Sequence, residues 1–264
     1  MFSTGLFLYL SISFIAFNAK KKTPTDSEIS NHQVYFSISL FRSMNLSKNE
    51  EDYLKALFHL TMEVDAETAG TNQMADELSV SPASVNGMVK KLKTKKLVDS
   101  EKYGKLKLTE TGKSEAILLI RKHRLWETFL YEHLNFSWDE VHEVAEQLEH
   151  IKSPKLIQQL DAFLGNPSVD PHGDVIPNSE GGFSMKSKKS LVEVQAGQKC
   201  TVVAVKDASV AFLQMVSELG IGLQTEIRVK HVHEFDASRT LLINNLERVV
   251  SLKFSENVFV KELN

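Results

Sequence analysis

From residue 47 to residue 163 apolar side chains recur every three or four positions, the period of helices with one buried face. Ser47 and Glu50 form an S-x-x-E capping box ahead of Tyr53, Leu54, Leu57 and Leu60, which predicts a first amphipathic helix. A second fits Thr71 to Leu78, and after the turn "SVS" a third opens with Ser81 as N-cap and Pro82 in the first turn, running through Val85, Met88, Val89 and Leu92. The period then shortens. "LVDSEKYGKLKLTETG" reads as two alternating strands around Gly104, completing a winged helix-turn-helix.

Helical spacing resumes at Lys113 and continues to about His133 through Ile117, Ile120, Leu125 and Phe129. Ser137 with Glu140 opens another helix, and Ser153 with Pro154 a further one through Leu156, Ile157, Leu160 and Phe163. The segment "GNPSVDPHGDVIPNSEGGFSMKSKKS" is a turn-rich connection. Beyond it "TVVAV", "TEIRVKHV", "TLLINN" and "VVSLKF" are short strand-like runs suited to a small SH3-like β-barrel, with one helical turn in "MVSELGIGLQ". The expected fold is mainly α. It comprises a winged helix-turn-helix over 44–112, a helical domain over 113–180, a linker at 181–190 and an SH3-like domain over 191–264.

Residues 5–17, "GLFLYLSISFIAF", are too short an apolar run to span a bilayer, which takes ~20. They also lack the basic flank of a signal peptide. Residues 1–43 are therefore expected to be an extension ahead of a start at Met44, with no folded role and no membrane partner. The lone Cys200 permits neither an internal disulfide nor a thiolate-rich zinc site, which fits a reducing cytoplasm.

The net charge of −3 is less informative than its distribution. Eight lysines lie between Lys90 and Lys107 against two acids, whereas Trp138 to His150 carries five acids. One region favours a polyanion and the other favours cations. On the third helix, Ser81, Ala83, Ser84 and Asn86 are small enough to approach base edges, while Lys90 and Lys91, with Lys102 and Lys105 on the wing, are placed for phosphates.

In "VHEVAEQLEH" the offsets of His142, Glu146, Glu149 and His150 put two imidazoles and two carboxylates on one helical stripe. The zinc-protease pattern H-E-x-x-H fails at Glu146, and the di-iron pattern Glu-x-x-His fails at Gln147, so no catalytic residue is assigned. Oxygen and imidazole donors without thiolate suit manganese or ferrous iron. His123 with Glu127 one turn later, and the "DPHGD" loop, add further donors.

From Met44 onward the chain resembles the diphtheria toxin repressor family of iron- and manganese-dependent transcription regulators, particularly its manganese branch. The resemblance rests on "EDYLKALFHL", "SPASVNGMVKKL", "RKHRL", "VHEVAEQLEH" and the "NP...DPHG" loop, followed by an SH3-like, FeoA-like domain. It implies a primary metal site of Asp52, His123, Glu146, Glu149 and His150. A secondary site would use Glu127, Asp170, His172 and Asp207, with His142 matching an ancillary ligand. The iron branch has methionine and cysteine where this chain has Asp52 and Glu146, and hard oxygens there point to Mn2+, with Fe2+ the alternative. Members of the manganese branch that lack the last domain have a glutamate where Lys55 stands. The resemblance implies a homodimer that represses metal-uptake genes from a palindromic operator when loaded. A metal-dependent hydrolase or storage protein is the competing class, and neither needs a basic winged helix tied to the metal helix.

Overall fold

The computed structural model describes residues 44–63, 66–101, 104–182, 188–206 and 209–263. The expectation for residues 1–43, and those for Lys102 and Asp207, lie outside the described residues.

Helix α1 (Lys48–Phe58) begins at the expected box, where Ser47 N–H donates to Glu50 Oε2 at 2.9 Å and Glu50 N–H to Ser47 Oγ at 3.4 Å. It then widens into a π-helical turn, His59–Glu63, in which Thr61 Oγ donates back to the Leu57 carbonyl at 2.6 Å. A two-residue strand β1 (Ala69–Gly70) leads into α2 (Thr71–Glu77), and α3 (Pro82–Thr94) starts where Ser81 Oγ accepts from Ser84 N–H at 3.1 Å. The wing is β2 (Val98–Ser100) with β3 (Lys105–Leu108), and β1 joins them in an antiparallel sheet ordered β1-β3-β2. Leu54, Leu57, Phe58, Met74, Val85, Leu92 and Leu106 form the core of this unit, so the helical periodicity reports its packing directly.

Helix α4 (Glu110–Leu134) is a 25-residue rod whose start is capped by Thr109 and whose end is closed by Asn135 in the left-handed region, φ 57°. Its first turn presses on the winged unit. A Cβ on Gly112 would lie 1.9 Å from the Leu97 carbonyl oxygen, so only glycine allows that approach. Helices α5 (Trp138–Leu148) and α6 (Pro154–Phe163) pack against α4 around Leu125, Trp126, Leu130, Val141, Ala145 and Leu160. At α5 Glu140 accepts from Ser137 N–H at 2.8 Å, while Ser137 Oγ turns to the carboxylates of Asp139 and Glu140.

The C-terminal unit contains β4 (Lys189–Ser190), β5 (Lys199–Val205), α7 (Val210–Glu218), β6 (Glu226–Val232), β7 (Arg239–Ile243), β8 (Leu246–Val250), α8 (Leu252–Glu256) and β9 (Val258–Leu263). Its six strands form one antiparallel sheet ordered β4-β9-β5-β6-β7-β8, and among the described residues β4 and β8 do not pair. The expected barrel is therefore an open sheet. Strand β4 is only two residues long, and a 3₁₀ turn, Leu191–Glu193, capped by Ser190 follows it directly. The run "VVSLKF" is likewise corrected, since Ser251 Oγ accepts from Phe254 N–H at 3.1 Å and turns Leu252–Glu256 into helix. The single expected helical turn is the nine-residue α7. This unit rests on the helical one: Trp138 enters its core, Gln214 Nε2 donates to Asp139 at 3.0 Å, and Val205 N–H donates to the His172 carbonyl at 2.9 Å.

Candidate metal centre and nucleic-acid interface

The end of α5 faces α1 and the middle of α4, so acidic and imidazole groups from three helices converge. Asp52 on α1 meets Glu149 and His150 just past α5, with one ligand atom from each lying within 4.8 Å of the others. His150 Nδ1 lies 2.5 Å from Glu51 Oε2, which orients the ring and leaves Nε2 3.2 Å from Asp52 Oδ1 and 3.7 Å from Glu149 Oε1. Asp52 Oδ1, Glu149 Oε1 and His150 Nε2 are all buried without a hydrogen-bond partner among the described residues. None of the three makes a hydrogen bond there, His150 Nε2 standing at ion-pair distance from Asp52; with the ring neutral and that nitrogen's lone pair free, two carboxylate oxygens and an imidazole nitrogen face one point, a donor set that fits a hard divalent ion. Burial raises the Asp52 pKa above the usual carboxylate range, with Glu146 and Glu149 adding to it against His150 and Lys48.

His123, Glu146 and Glu149 form an adjoining triad, again within 4.8 Å. Here a cation is already present. Lys55 Nζ donates to Glu149 Oε2 at 2.8 Å and to Glu146 Oε1, and lies 3.2 Å from His123 Nδ1. Glu149, fully buried at 0% exposure, thus divides its carboxylate: Oε2 faces the ammonium and His123, and Oε1 faces Asp52 and His150. Burial opposes its charge, but the hydrogen bond with His123 and the Lys55 ammonium hold its pKa below the usual value.

A second cluster lies along α4. Glu127, Asp170 and His172 bring ligand atoms within 4.8 Å of one another, as do Glu127, His123 and His142. His123 Nε2 sits 2.9 Å from Glu127 Oε1, His142 Nδ1 3.3 Å from the same oxygen and His172 Nδ1 3.8 Å from Oε2. Burial works against charge on both His123 and His172, yet the carboxylate of Glu127 lifts each to about 9. In Asp170 burial, then the nearby Glu127 and Asp174 charges, push the pKa up to about 7 against Arg124 and His172. The "DPHGD" loop is held from α4: Arg124 donates to the Val175 carbonyl at 2.7 Å and lies 3.6 Å from Asp170, while Arg121 binds Asp161 at 2.5 Å and the Pro177 carbonyl.

On the winged unit Ser81, Ala83, Ser84, Asn86, Lys90, Lys91 and Lys105 are all exposed. Other lysines are engaged: Lys95 with Glu50 at 2.8 Å, Lys107 with Glu101 at 2.7 Å and Lys93 with Ser100 at 2.7 Å. Lys90, Lys91 and Lys105 have no such partner among the described residues, which leaves their charge available to phosphates.

The sequence matches three family models in order: the N-terminal DNA-binding domain of iron-dependent repressors over residues 45–106, their metal-binding and dimerisation domain over 109–178, and the FeoA domain over 189–262. The iron-dependent repressor IdeR of Mycobacterium tuberculosis is 31% identical over 160 residues, covering 58% of this chain and 69% of that protein. The chain belongs to the iron-dependent (diphtheria toxin) repressor family. Its members are metal-dependent, DNA-binding transcriptional regulators rather than enzymes, and the domain set provides for dimerisation. Among solved structures a manganese-dependent transcriptional repressor in complex with manganese is 32% identical with a TM-score of 0.72, covering 81% of this chain and 100% of that one. The manganese regulator SloR is also 32% identical, with a TM-score of 0.67, and covers 83% and 100%. Among the described residues no helix is long and apolar enough to cross a membrane.

Seen in this repressor fold, the expected primary set of Asp52, His123, Glu146, Glu149 and His150 divides into two triads that share Glu149. Glu127, Asp170, His172 and His142 gather around α4 as the second group. Sequence reasoning missed Glu51 as the group orienting His150 and the two arginines of "RKHRL" as anchors of the chain after α6, whereas Lys55 was singled out by the resemblance without the contacts the structure gives it.

Proposed function

We propose that this chain is a manganese-responsive repressor of metal-uptake genes, working inside the cell as a homodimer on a palindromic operator. The observation that carries this reading is the set of unpartnered buried atoms on Asp52, Glu149 and His150, because one comes from the winged unit and two from the helical unit. A divalent cation bound there would supply the positive charge that these three donors lack. Asp52 at the base of the DNA-reading unit is then fixed to the end of α5, and through the dimer the spacing of the two α3 helices is fixed. Only an arrangement that brings Asp52 to Glu149 completes the donor set, so binding free energy favours that arrangement over others.

His123 and Glu146 complete the primary surroundings, and Glu127, Asp170 and His172, with His142 and Asp207, form the secondary site. Base edges are read by Ser81, Ala83, Ser84 and Asn86, and phosphates are met by Lys90, Lys91, Lys102 and Lys105. The working division is 44–112 for DNA, 113–180 for metal and dimerisation, and 191–264 for the C-terminal unit. Hard oxygens at Asp52 and Glu146 and the manganese-bound structural relative favour Mn2+. The likeness to IdeR, an iron-dependent repressor, supports Fe2+ as the second reading.

The test is selection from a pool of random duplexes with Mn2+, with Fe2+ under anaerobic conditions, and with a chelator. An inverted-repeat sequence should be enriched with metal and lost without it, most strongly with Mn2+. Equal enrichment in the chelator arm overturns the switch, and stronger enrichment with Fe2+ reassigns the ion.

A further inference from the structure

We infer that Gly87 is a specificity-determining position of the DNA interface: with no side chain there, the backbone of α3 can lie against the base edges of an operator, at the depth that its short reading side chains require. The inference rests on the reading of α3 as the base-reading helix and concerns a residue of its exposed face that has no side chain to offer.

Helix α3 (Pro82–Thr94) buries Val85, Val89 and Leu92 in the core of the winged unit. At ~100° per residue, Ala83, Gly87, Lys90 and Thr94 follow one line on the opposite side of the helix, with Asn86 on one flank and Ser84 and Lys91 on the other. All of them are exposed. Apart from proline, no residue is less favourable in a helix interior than glycine. At Gly112 and Gly173 the neighbours explain it, since an added Cβ would strike the carbonyl oxygens of Leu97 and Val203. A Cβ on Gly87 would meet nothing within 4 Å among the described residues, and the residue is helical. Neither packing nor backbone conformation within the chain calls for glycine there, and the missing side chain faces outward.

The rest of that face indicates what it meets. Lys90 and Lys91, a turn further on, have ammonium groups without an ion-pair partner among the described residues, and the unit matches the DNA-binding domain of iron-dependent repressors over residues 45–106. A recognition helix enters the major groove, where long cationic side chains meet phosphates and residues near the helix N-terminus meet bases. Here those residues are short: Ser81, Ala83, Ser84 and Asn86. A long side chain in their midst would touch the base pairs first and hold the others away. With only hydrogen at that place, the helix can settle until Ser84 and Asn86 come within hydrogen-bond range of base edges, roughly 3 Å. The lysines tolerate either depth, because their flexible stems follow the phosphates. Gly87 therefore bears on sequence discrimination and leaves the sequence-independent attraction unchanged.

Gly87→Ala and Gly87→Leu test this in the full chain with Mn2+ bound, each placing a better helix former where there is room for it. Melting temperature is read by circular dichroism, and affinities for random duplex and for the inverted repeat that the wild type selects are read by fluorescence anisotropy. Melting temperature should rise by roughly 2–4 °C in Gly87→Ala. Affinity for the selected repeat should fall about tenfold in Gly87→Ala and further in Gly87→Leu. Affinity for random duplex and its salt slope should stay as in wild type. Three results overturn the inference: a lower melting temperature in Gly87→Ala, which would make the glycine a packing residue; equal loss on both duplexes; and unimpaired binding of the selected repeat by both variants. The wild type reads the functional proposal separately. A repeat enriched equally with and without metal removes the metal switch and leaves Gly87 its role, whereas a wild type that enriches no sequence removes both.

Discussion

Glu149→Gln keeps the shape of a fully buried side chain and deletes its charge, which makes it the sharpest probe of the cluster. At 2.8 Å from Lys55 Nζ, the lost attraction is about 6 kcal/mol in gross Coulomb terms at an effective dielectric of about 20. The net loss is smaller, because the wild-type pair was desolvated and the glutamine oxygen can still accept a hydrogen bond. Breaking a buried pair costs roughly 3–5 kcal/mol when the remaining charge has no other partner. Lys55 retains Glu146, so about 2 kcal/mol is expected. In urea denaturation followed by circular dichroism with chelator present, that corresponds to a midpoint lower by roughly 1 M. Adding Mn2+ at a hundredfold excess over its dissociation constant should stabilise wild type by a further ~2.7 kcal/mol. The variant should lose this gain and keep only what an ion at the Glu127, Asp170 and His172 group contributes, since its Oε1 no longer belongs to an anion facing Asp52 and His150. A variant as stable as wild type in chelator, or one that Mn2+ stabilises equally, would refute the reasoning.

Three further outcomes are expected. Lys90→Ala and Lys91→Ala should weaken operator and random duplexes to the same degree, each lowering the salt slope of binding by about 1, as read by fluorescence anisotropy over a salt series. Gly173→Ala should lower stability by roughly 1–3 kcal/mol in scanning calorimetry. Its φ is 85°, and the added Cβ would stand 2.1 Å from the Val203 carbonyl oxygen, so the loop bearing Asp170 and His172 could not keep its seat on β5. Cys200, whose thiol burial pushes up to about 11, should resist a thiol-specific reagent at pH 8 until urea unfolds the chain. The sign follows from that shift: the neutral buried thiol contributes its stability in full below its unfolded value of 9.0 and loses it as pH rises through about 11. Rapid labelling of the native protein at pH 8 would contradict this.

Much was legible in the chain itself. The caps at Ser47 and Ser81, the helical periods through Val85 and Leu125, and the stripe from His142 to His150 depend on neighbours within one or two turns, so their pattern predicts their structure. The wing hairpin followed for the same reason. Failures came where local preference was outvoted. "VVSLKF" is rich in strand formers, yet a serine cap starts a helix inside it, and β4 stops after two residues where a 3₁₀ turn begins.

By itself, then, the sequence determined the helices, the wing, the basic face of α3 and the oxygen-and-imidazole donors, because these are set by hydrogen bonds and side-chain periods of short range. Tertiary structure alone decided which donors meet. It brought Asp52 and Lys55 of α1 to Glu149, handed one carboxylate oxygen to the ammonium and left the other unpartnered. It also left the C-terminal sheet open. The physical reason is that charge balance in a buried pocket depends on every chain segment crossing it, and those segments are neighbours only after folding.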